Sequence, residues 1–354
     1  MLANIIIKPG KIELREIETP SPSRGELLVK IKAALTCGTD LKAFRRGHHV
    51  IPMPGVFGHE FSGVVASVGK GVKRFKEGDP IMAVHSAPCL TCRYCKKGSY
   101  NLCDHIMNTK VLGAFSEYIL LPSHIVRQNV FHKPKAVSFE EAAFLEPLSC
   151  VVHGMSSLNI KKDDQALVIG AGPIGLLHLL LLKEKGSIVA LSDIHDERLK
   201  IGEKCGADLT ITPKTFKNFL HSATSPSARG SLKGFNQVFG DFFGFDHVFE
   251  CTGMPEVWET SITYVRRGGT VVLFGGCKSG TTVTYDTGRI HYDEITLKGV
   301  FHFTPSDVKK AYNLLLKRKL GVSRLISGSY PLTKIQKAFD KLAKGEGIKY
   351  AIIP

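Results

Sequence analysis

Four cysteines, Cys89, Cys92, Cys95 and Cys103, fall within 15 residues and are separated by two, two and seven others. Four thiolates this close together, in a loop rich in Gly, Pro and Lys, satisfy the tetrahedral preference of a structural zinc ion. Closed coordination leaves no position for a substrate, so this metal would stabilise a loop and do no chemistry. Arg93, Lys96 and Lys97 would soften the charge of such a site. A second set is scattered: Cys37 in Cys37-Gly38-Thr39-Asp40, the pair His59-Glu60, and Glu146 in Glu146-Pro147-Leu148. One Cys, one His and a carboxylate or two would make a zinc site with an exchangeable position, as a catalytic metal needs. Spacing does not separate this reading from a buried inert thiol and a surface polar pair.

The third constellation is Gly170-Ala171-Gly172-Pro173-Ile174-Gly175, preceded by a short apolar run, Gln165 to Ile169, and followed by a strongly apolar helical stretch ending near Gly186. Asp193 follows the last glycine by 18 residues, at the end of a second apolar run. Strand, glycine turn, helix and acid in this register are the dinucleotide fingerprint. Gly170 permits the tight turn, Gly172 admits a pyrophosphate to the backbone, and Gly175 allows helix to pack closely on strand. Free N–H groups at the helix N-terminus face the anion. A carboxylate at Asp193 accepts hydrogen bonds from the ribose 2′-OH of NAD and repels the 2′-phosphate of NADP. The bland alternative is that Asp193 only caps the next helix.

Elements must hold these groups in place. From Met1 to about Ile125 the segments are short, alternating and punctuated by Gly and Pro, as in Glu26–Ile31, Phe61–Val68 and Pro80–Val84, which predicts a compact, partly closed β domain. Ser138 and Glu141 form a capping box that opens a helix leading toward the dinucleotide unit. Six candidate strands then alternate with helices: Gln165–Gly170, Ser187–Asp193, Asp208–Ile211, Asp246–Glu250, Thr270–Phe274 and Ile295–Val300. This pattern predicts a doubly wound parallel sheet, so the fold class is α/β. The stretch His221 to Phe235 reads as a loop. Two amphipathic helices, Ser306–Leu320 and Thr333–Lys344, and a closing strand, Lys349–Ile353, make a tail expected to return to the first domain. The expected division is 1–147 with 301–354 for the β-rich catalytic domain and 148–300 for the coenzyme domain.

The 354 residues suggest two domains, and 43% hydrophobic and 22% charged content describe an ordinary globular chain. The net charge of +15 is spread along the chain without a basic run or interleaved aromatics. No nucleic-acid partner is therefore expected, and the charge is read as a solvated surface that steers an anionic cofactor. A zinc-bearing nucleic-acid-binding protein is the rival from another class. No signal peptide is evident, and the apolar run Leu176–Leu182 is too short to cross a membrane, so no membrane partner is expected. Nine cysteines without a secretory signal point to a reducing cytoplasm, with thiolates used for metal.

Taken in order, Cys37-Gly38-Thr39-Asp40, Gly58-His59-Glu60-x2-Gly63-x5-Gly69, the four-cysteine lobe, Glu146-Pro147-Leu148, the 170–175 fingerprint and Glu250-Cys251-Thr252-Gly253 resemble the zinc-dependent medium-chain dehydrogenase/reductase family. The likeness covers essentially the whole chain and is closest to the sorbitol, butanediol and threonine dehydrogenase branch. The resemblance implies a GroES-like catalytic domain completed by the tail, a Rossmann domain inserted within it, and an active site in the cleft. It implies Cys37 and His59 as catalytic zinc ligands and Glu60 as a direct or alternating ligand. Glu146 would bind the metal directly or through water, Thr39 would take the substrate proton, and Arg198 would stand on the adenosine ribose. The cofactors implied are NAD and two zinc ions, the substrate a small secondary alcohol or its ketone, and the assembly a homodimer or homotetramer. A zinc-free quinone-reductase-like enzyme on the same fold would lack Cys37, His59 and the lobe. The chain departs from relatives at Lys42, where many have His, at Ala43, where sorbitol-type enzymes have Tyr, and at Phe301-His302-Phe303, where they have Phe-Arg-Tyr. Losing Arg and Tyr removes groups that hold several hydroxyls, which favours a less polar secondary alcohol. Proton exit could then pass through His48, His49 or His302.

Overall fold

The computed structural model describes residues 1–215, 238–240 and 243–354, so the expected loop at 221–235 lies outside the described residues. They form two compact units, Met1–His153 with His302–Pro354, and Gly154–Phe301.

In the first unit a seven-stranded sheet runs in the order Ile326–Pro331, Lys349–Ile353, Leu27–Leu35, Glu60–Val68, Pro80–Val84 and Val130–His132, with Tyr118–Leu121 also pairing to Leu27–Leu35. Leu27–Leu35 carries Lys30 and Lys32 outward while Val29, Ile31 and Ala33 point in, the period-2 pattern of a strand with one wet face. The tail is built into this sheet, because Ala351 pairs with Leu35 and Ile352 with Ala34. It also supplies the core: Phe339, on the helix Ile335–Ala343, is fully buried with its ring 5.5 Å from Phe44 and 5.7 Å from Phe57. Each such aromatic pair adds about 0.5–1.5 kcal/mol beyond area burial. The Ser138/Glu141 capping box forms as expected, with Glu141 N–H donating to Ser138 Oγ at 3.1 Å and Ser138 N–H to Glu141 at 2.9 Å. The helix it opens is only Phe139–Ala142, and a second helix, Leu145–Ser156, carries Glu146.

The second unit holds a six-stranded sheet, all parallel, in the order Leu209–Ile211, Ile188–Ser192, Gln165–Ile169, Phe245–Glu250, Val265–Leu273 and Thr296–Gly299. Numbered along the chain this is 3-2-1-4-5-6, the doubly wound arrangement whose order reverses beside the first strand. One strand begins five residues before its expected start at Thr270. Arg266-Arg267-Gly268-Gly269 looks like a turn, yet Val265 pairs with Phe245 and the register shift that follows absorbs the glycines as an irregular start to the strand.

The helix Pro173–Glu184 is buried from Gly175 through Leu182, which is why its sequence is apolar on every side. His178 is the exception inside it. Its Nδ1 lies 3.0 Å from the Ile174 carbonyl, its Nε2 is buried without a partner, and its ring sits 4.8 Å from Phe249 and 4.9 Å from Phe274. Burial pushes its pKa down to about 4. Because that lies below the unfolded value of about 6.5, stability is complete above about pH 6.5 and is lost as pH falls toward 4. At pH 5 the loss from this one group is about 2 kcal/mol. His178→Leu is expected to remove that share of the pH 7 to pH 5 difference in denaturation midpoint, read by fluorescence of Trp258, the chain's single tryptophan and part of the same unit. An unchanged difference would show that His178 charges without cost.

Candidate active site and metal centres

The strand Leu27–Leu35 ends just before Thr36, and Cys37 stands at the N-cap of the helix Gly38–Arg46 without making a side-chain cap bond. Its thiol is therefore not used to stabilise the helix. Thr39 is half-buried and Asp40 fully buried in the first turn. On the neighbouring strand, His59 stands just before the first residue, Glu60, and Leu35 pairs directly with Glu60. Glu146 enters from the first turn of Leu145–Ser156.

These elements converge on one buried region. Cys37, Asp40 and His59 offer ligand atoms within 4.8 Å of one another, and so do His59, Glu60 and Glu146, with His59 common to both sets. Asp40 Oδ1 lies 3.3 Å from His59 Nδ1, and neither Asp40 oxygen has a hydrogen-bond donor. Glu60 Oε1 is likewise buried and unpartnered. Burial opposes a charged His59, but Asp40 and Cys37 outweigh it and hold its pKa well above the usual value. Burial also pushes Glu146 up to about 7. Orphaned buried acceptors and a His drawn toward positive charge fit a cation, which would satisfy all of them at once. A Cys/His/carboxylate donor set fits zinc, and the Asp40–His59 pair has the form of a carboxylate that orients a ligating imidazole.

Three residues of this region were not legible in the sequence. Lys349, 1% exposed on the C-terminal strand, makes a short ion pair with Glu60 Oε2 and donates to the Thr36 carbonyl at 2.8 Å. His85, also buried, has Nδ1 3.5 Å from Glu146 Oε1 yet makes no hydrogen bond there. Asp40 lies in Cys37-Gly38-Thr39-Asp40, where nothing local assigns it a role. No local pattern marks Lys349 or His85, since their partners are far away in the chain.

The four-cysteine loop is a separate cluster. The sulfurs of Cys89, Cys92, Cys95 and Cys103 offer themselves within 4.8 Å of one another. Cys89 Sγ receives the N–H groups of Thr91 at 3.4 Å and Cys92 at 3.3 Å, while Cys103 Sγ receives that of Cys89 at 3.3 Å. Backbone donors aimed at sulfur are what thiolate ligands require around a metal. Ile106 packs beneath Cys95 and Cys103 and closes the site on one side.

In the second unit Gly170 has φ +102°, and a Cβ on Gly175 would fall 1.8 Å from the Gly170 carbonyl oxygen, so no other residue fits there. Gly172 faces open space, with no atom within 4 Å of where a Cβ would stand. Pro173 starts the helix and Ile174 is half-buried beside it. The Asp193 carboxylate accepts from Ala171 N–H at 2.7 Å through Oδ2 and from His195 N–H at 2.9 Å through Oδ1. It thus ties the glycine turn to the start of the next helix, a structural task in addition to the ribose contact expected of it. Arg198 is half-buried with Nε unpartnered. Glu250 closes the neighbouring turn, accepting from Thr252 N–H at 2.7 Å and Gly253 N–H at 3.1 Å, which explains the Glu-Cys-Thr-Gly motif.

Among the described residues no helix is long and apolar enough to cross a membrane. Residues 23–134 match the alcohol dehydrogenase GroES-like domain, and residues 173–317 match the zinc-binding dehydrogenase domain. D-arabitol-phosphate dehydrogenase of Enterococcus avium is 33% identical over 353 residues, which cover 97% of this chain and 95% of that one. Sorbitol dehydrogenase of Halalkalibacterium halodurans is 28% identical over 350 residues, covering 98% and 96%. A protein of Sinorhizobium meliloti described as a zinc-binding dehydrogenase, and bound to NADP, superposes with a TM-score of 0.87 at 28% identity over 100% of this chain and 99% of its own. The chain belongs to the zinc-binding alcohol dehydrogenase family, as an oxidoreductase with a GroES-like domain and a Rossmann domain.

Proposed function

We propose that this chain interconverts a small secondary alcohol and its ketone with NAD, using one catalytic and one structural zinc ion; its sorbitol and arabitol-phosphate dehydrogenase relatives favour the polyol class over the less polar alcohol expected from the sequence. The observation that carries the reading is the meeting at His59 of two ligand sets, Cys37 with Asp40 and Glu60 with Glu146, with Asp40 and Glu60 oxygens left unpaired. Cys37, His59 and Glu146 would hold the catalytic ion, which would polarise the carbinol oxygen and lower its proton affinity. Asp40, with Oδ1 3.3 Å from His59 Nδ1, would orient the ring by charge and leave the other nitrogen for the metal. Glu60 is held by Lys349, so that its charge is compensated when it does not ligate. Thr39 takes the carbinol proton. Cys89, Cys92, Cys95 and Cys103 would hold the structural ion, which supplies folding energy to the loop. We place the enzyme in the cytoplasm as a homodimer or homotetramer, in line with the family likeness.

For the cofactor, each Asp193 oxygen retains a second lone pair for a ribose hydroxyl, whereas a 2′-phosphate would meet its negative charge. Arg198 is the cation on offer beside the following helix, and the NADP bound by the Sinorhizobium meliloti relative makes the choice a matter for direct measurement. Wild-type kcat/KM is expected to favour NAD over NADP by roughly 10²-fold, since a few kcal/mol of repulsion converts at 1.36 kcal/mol per tenfold. The comparison belongs on the wild type, because replacing Asp193 would also release Ala171 from the glycine turn. Elemental analysis should return two zinc ions per chain, and one after Cys95→Ala. A single zinc unaffected by Cys95→Ala, or a preference for NADP, would overturn the corresponding half of this reading.

A further inference from the structure

We infer that His153 and Asp307 are positioning residues for the candidate catalytic metal centre: their hydrogen bond locks the helix that carries Glu146 against the returning tail. The inference rests on the zinc dehydrogenase reading and adds the bond that sets how Glu146 meets the ion. His153 Nδ1 lies 2.8 Å from Asp307 Oδ2, across 154 positions of the chain. The first compact unit ends its first segment at His153 and resumes at His302. The bond therefore joins the two segments of that unit close to where the chain leaves it and returns.

Glu146 and His153 both lie on the helix Leu145–Ser156. Their separation amounts to two helical turns less about 20°, which puts both side chains on one face about 10 Å apart. Between them on that face, Cys150 donates its S–H to Glu146 Oε1 at 3.7 Å. The opposite side is apolar, with Leu145, Leu148, Val151 and Val152 all buried. Apolar packing is non-directional and tolerates a small turn of the helix about its axis. A turn of about 10° moves a group at a side-chain radius of about 5–6 Å by about 1 Å. Metal–ligand distances hold to about 0.2 Å, so that turn is enough to take Glu146 out of reach of an ion. A directional bond made from the same face removes the freedom.

Asp307 is built to hold that bond. It is buried, and its Oδ2 also accepts from Thr304 N–H at 3.0 Å and Thr304 Oγ1 at 2.7 Å, in the capping box of the helix Pro305–Lys317. Lys310 stands farther off, 4.0 Å from Oδ1. Burial opposes the charge of Asp307, but His153 and Thr304 outweigh it and hold its pKa below the usual value. An ionised carboxylate only accepts, so His153 Nδ1 is the donor. The cap needs Thr304 alone; His153 is an added partner, and it comes from the face that carries Glu146. The same tail brings Lys349 to Glu60. Both carboxylates of the His59, Glu60 and Glu146 set thus depend on the tail.

The test follows zinc release from the fully loaded chain to a chromophoric chelator, with the exchangeable ion expected in a fast phase and the four-thiolate ion in a slow one. Gln and Met have the same length, but only Gln offers an N–H to Asp307. His153→Met should release the fast zinc about tenfold sooner than wild type, the lower end of what losing an outer-shell partner costs a metal site. Its kcat should fall while the KM for NAD holds. His153→Gln should recover most of the difference, and the slow phase should be the same in all three. Because Asp307 keeps both Thr304 donors, the fold should survive either change. Thr304→Val is the control: it breaks the side-chain half of the cap and leaves His153 its acceptor, so it should lower the melting temperature without hastening the fast phase. Equal fast phases in the Met and Gln variants, or an equal gain in Thr304→Val, would make the pair a structural tie only and overturn the inference. If His153→Met does not fold, Asp307→Asn carries the test, since it keeps an acceptor for the cap and gives up the charge; an unchanged fast phase there would overturn the inference as well. A wild type that releases a single zinc in one phase would bring down the two-metal reading itself, a result distinct from these.

Discussion

Replacing Cys37 by Ala is expected to lower kcat/KM for the alcohol by at least about 10²-fold, the scale of losing a main electrostatic stabiliser, while the affinity for NADH is little changed. The thiol makes no cap bond to the helix Gly38–Arg46, so its removal should spare the fold. The glycine turn belongs to the other compact unit, which is why NADH binding should survive. His59→Ala should cost as much activity but is the less clean variant. Asp40 is fully buried and His59 is its ion-pair partner, so truncation leaves a buried carboxylate uncompensated and should lower stability as well. Zinc content in both variants should fall from two to one. Turnover retained in both, with that zinc gone, would move the chain to the metal-free reductases on this fold.

Local chemistry explains which parts of this protein could be read from its residues. The glycine turn needs Gly at 170 for its positive φ and at 175 for close approach, and those demands fall within six consecutive positions. The four cysteines and the Ser138/Glu141 capping box are legible for the same reason: each is a set of groups that meet within a single loop or turn. The candidate metal set is different. Cys37, Asp40 and His59, and His59, Glu60 and Glu146, come together because Leu35 pairs with Glu60 and the helix Leu145–Ser156 carries Glu146 in its first turn. Spacing alone carried almost none of that, and only the order of several motifs made it visible. Lys349 was beyond reach altogether. It sits 289 residues from Glu60, on a strand whose pairing to Leu27–Leu35 leaves no trace in composition.

Lys349→Met is expected to destabilise the folded chain by about 3–5 kcal/mol, as removal of one member of a buried ion pair does. Lysine in this position spends its charge twice, on Glu60 Oε2 and on the Thr36 carbonyl, with the Phe144 ring 5.8 Å beneath it. Methionine fills nearly the same volume but supplies neither interaction, and Glu60 is then left fully buried with both oxygens unpaired. Desolvation already holds the Glu60 pKa above its usual value even with the ammonium present, so the unpaired carboxylate has little to offset its burial. Adding Glu60→Gln to Lys349→Met should recover much of the loss, because two neutral groups no longer demand compensation. A double-mutant cycle on the zinc-loaded protein, followed by chemical denaturation, separates this from simple loss of packing. If Lys349→Met alone proves as stable as wild type, Glu60 must find its positive partner in the bound metal, and the lysine would be spare. If the double variant is no better than the single one, the destabilisation comes from the Thr36 turn that precedes Cys37, and the ion pair contributes little.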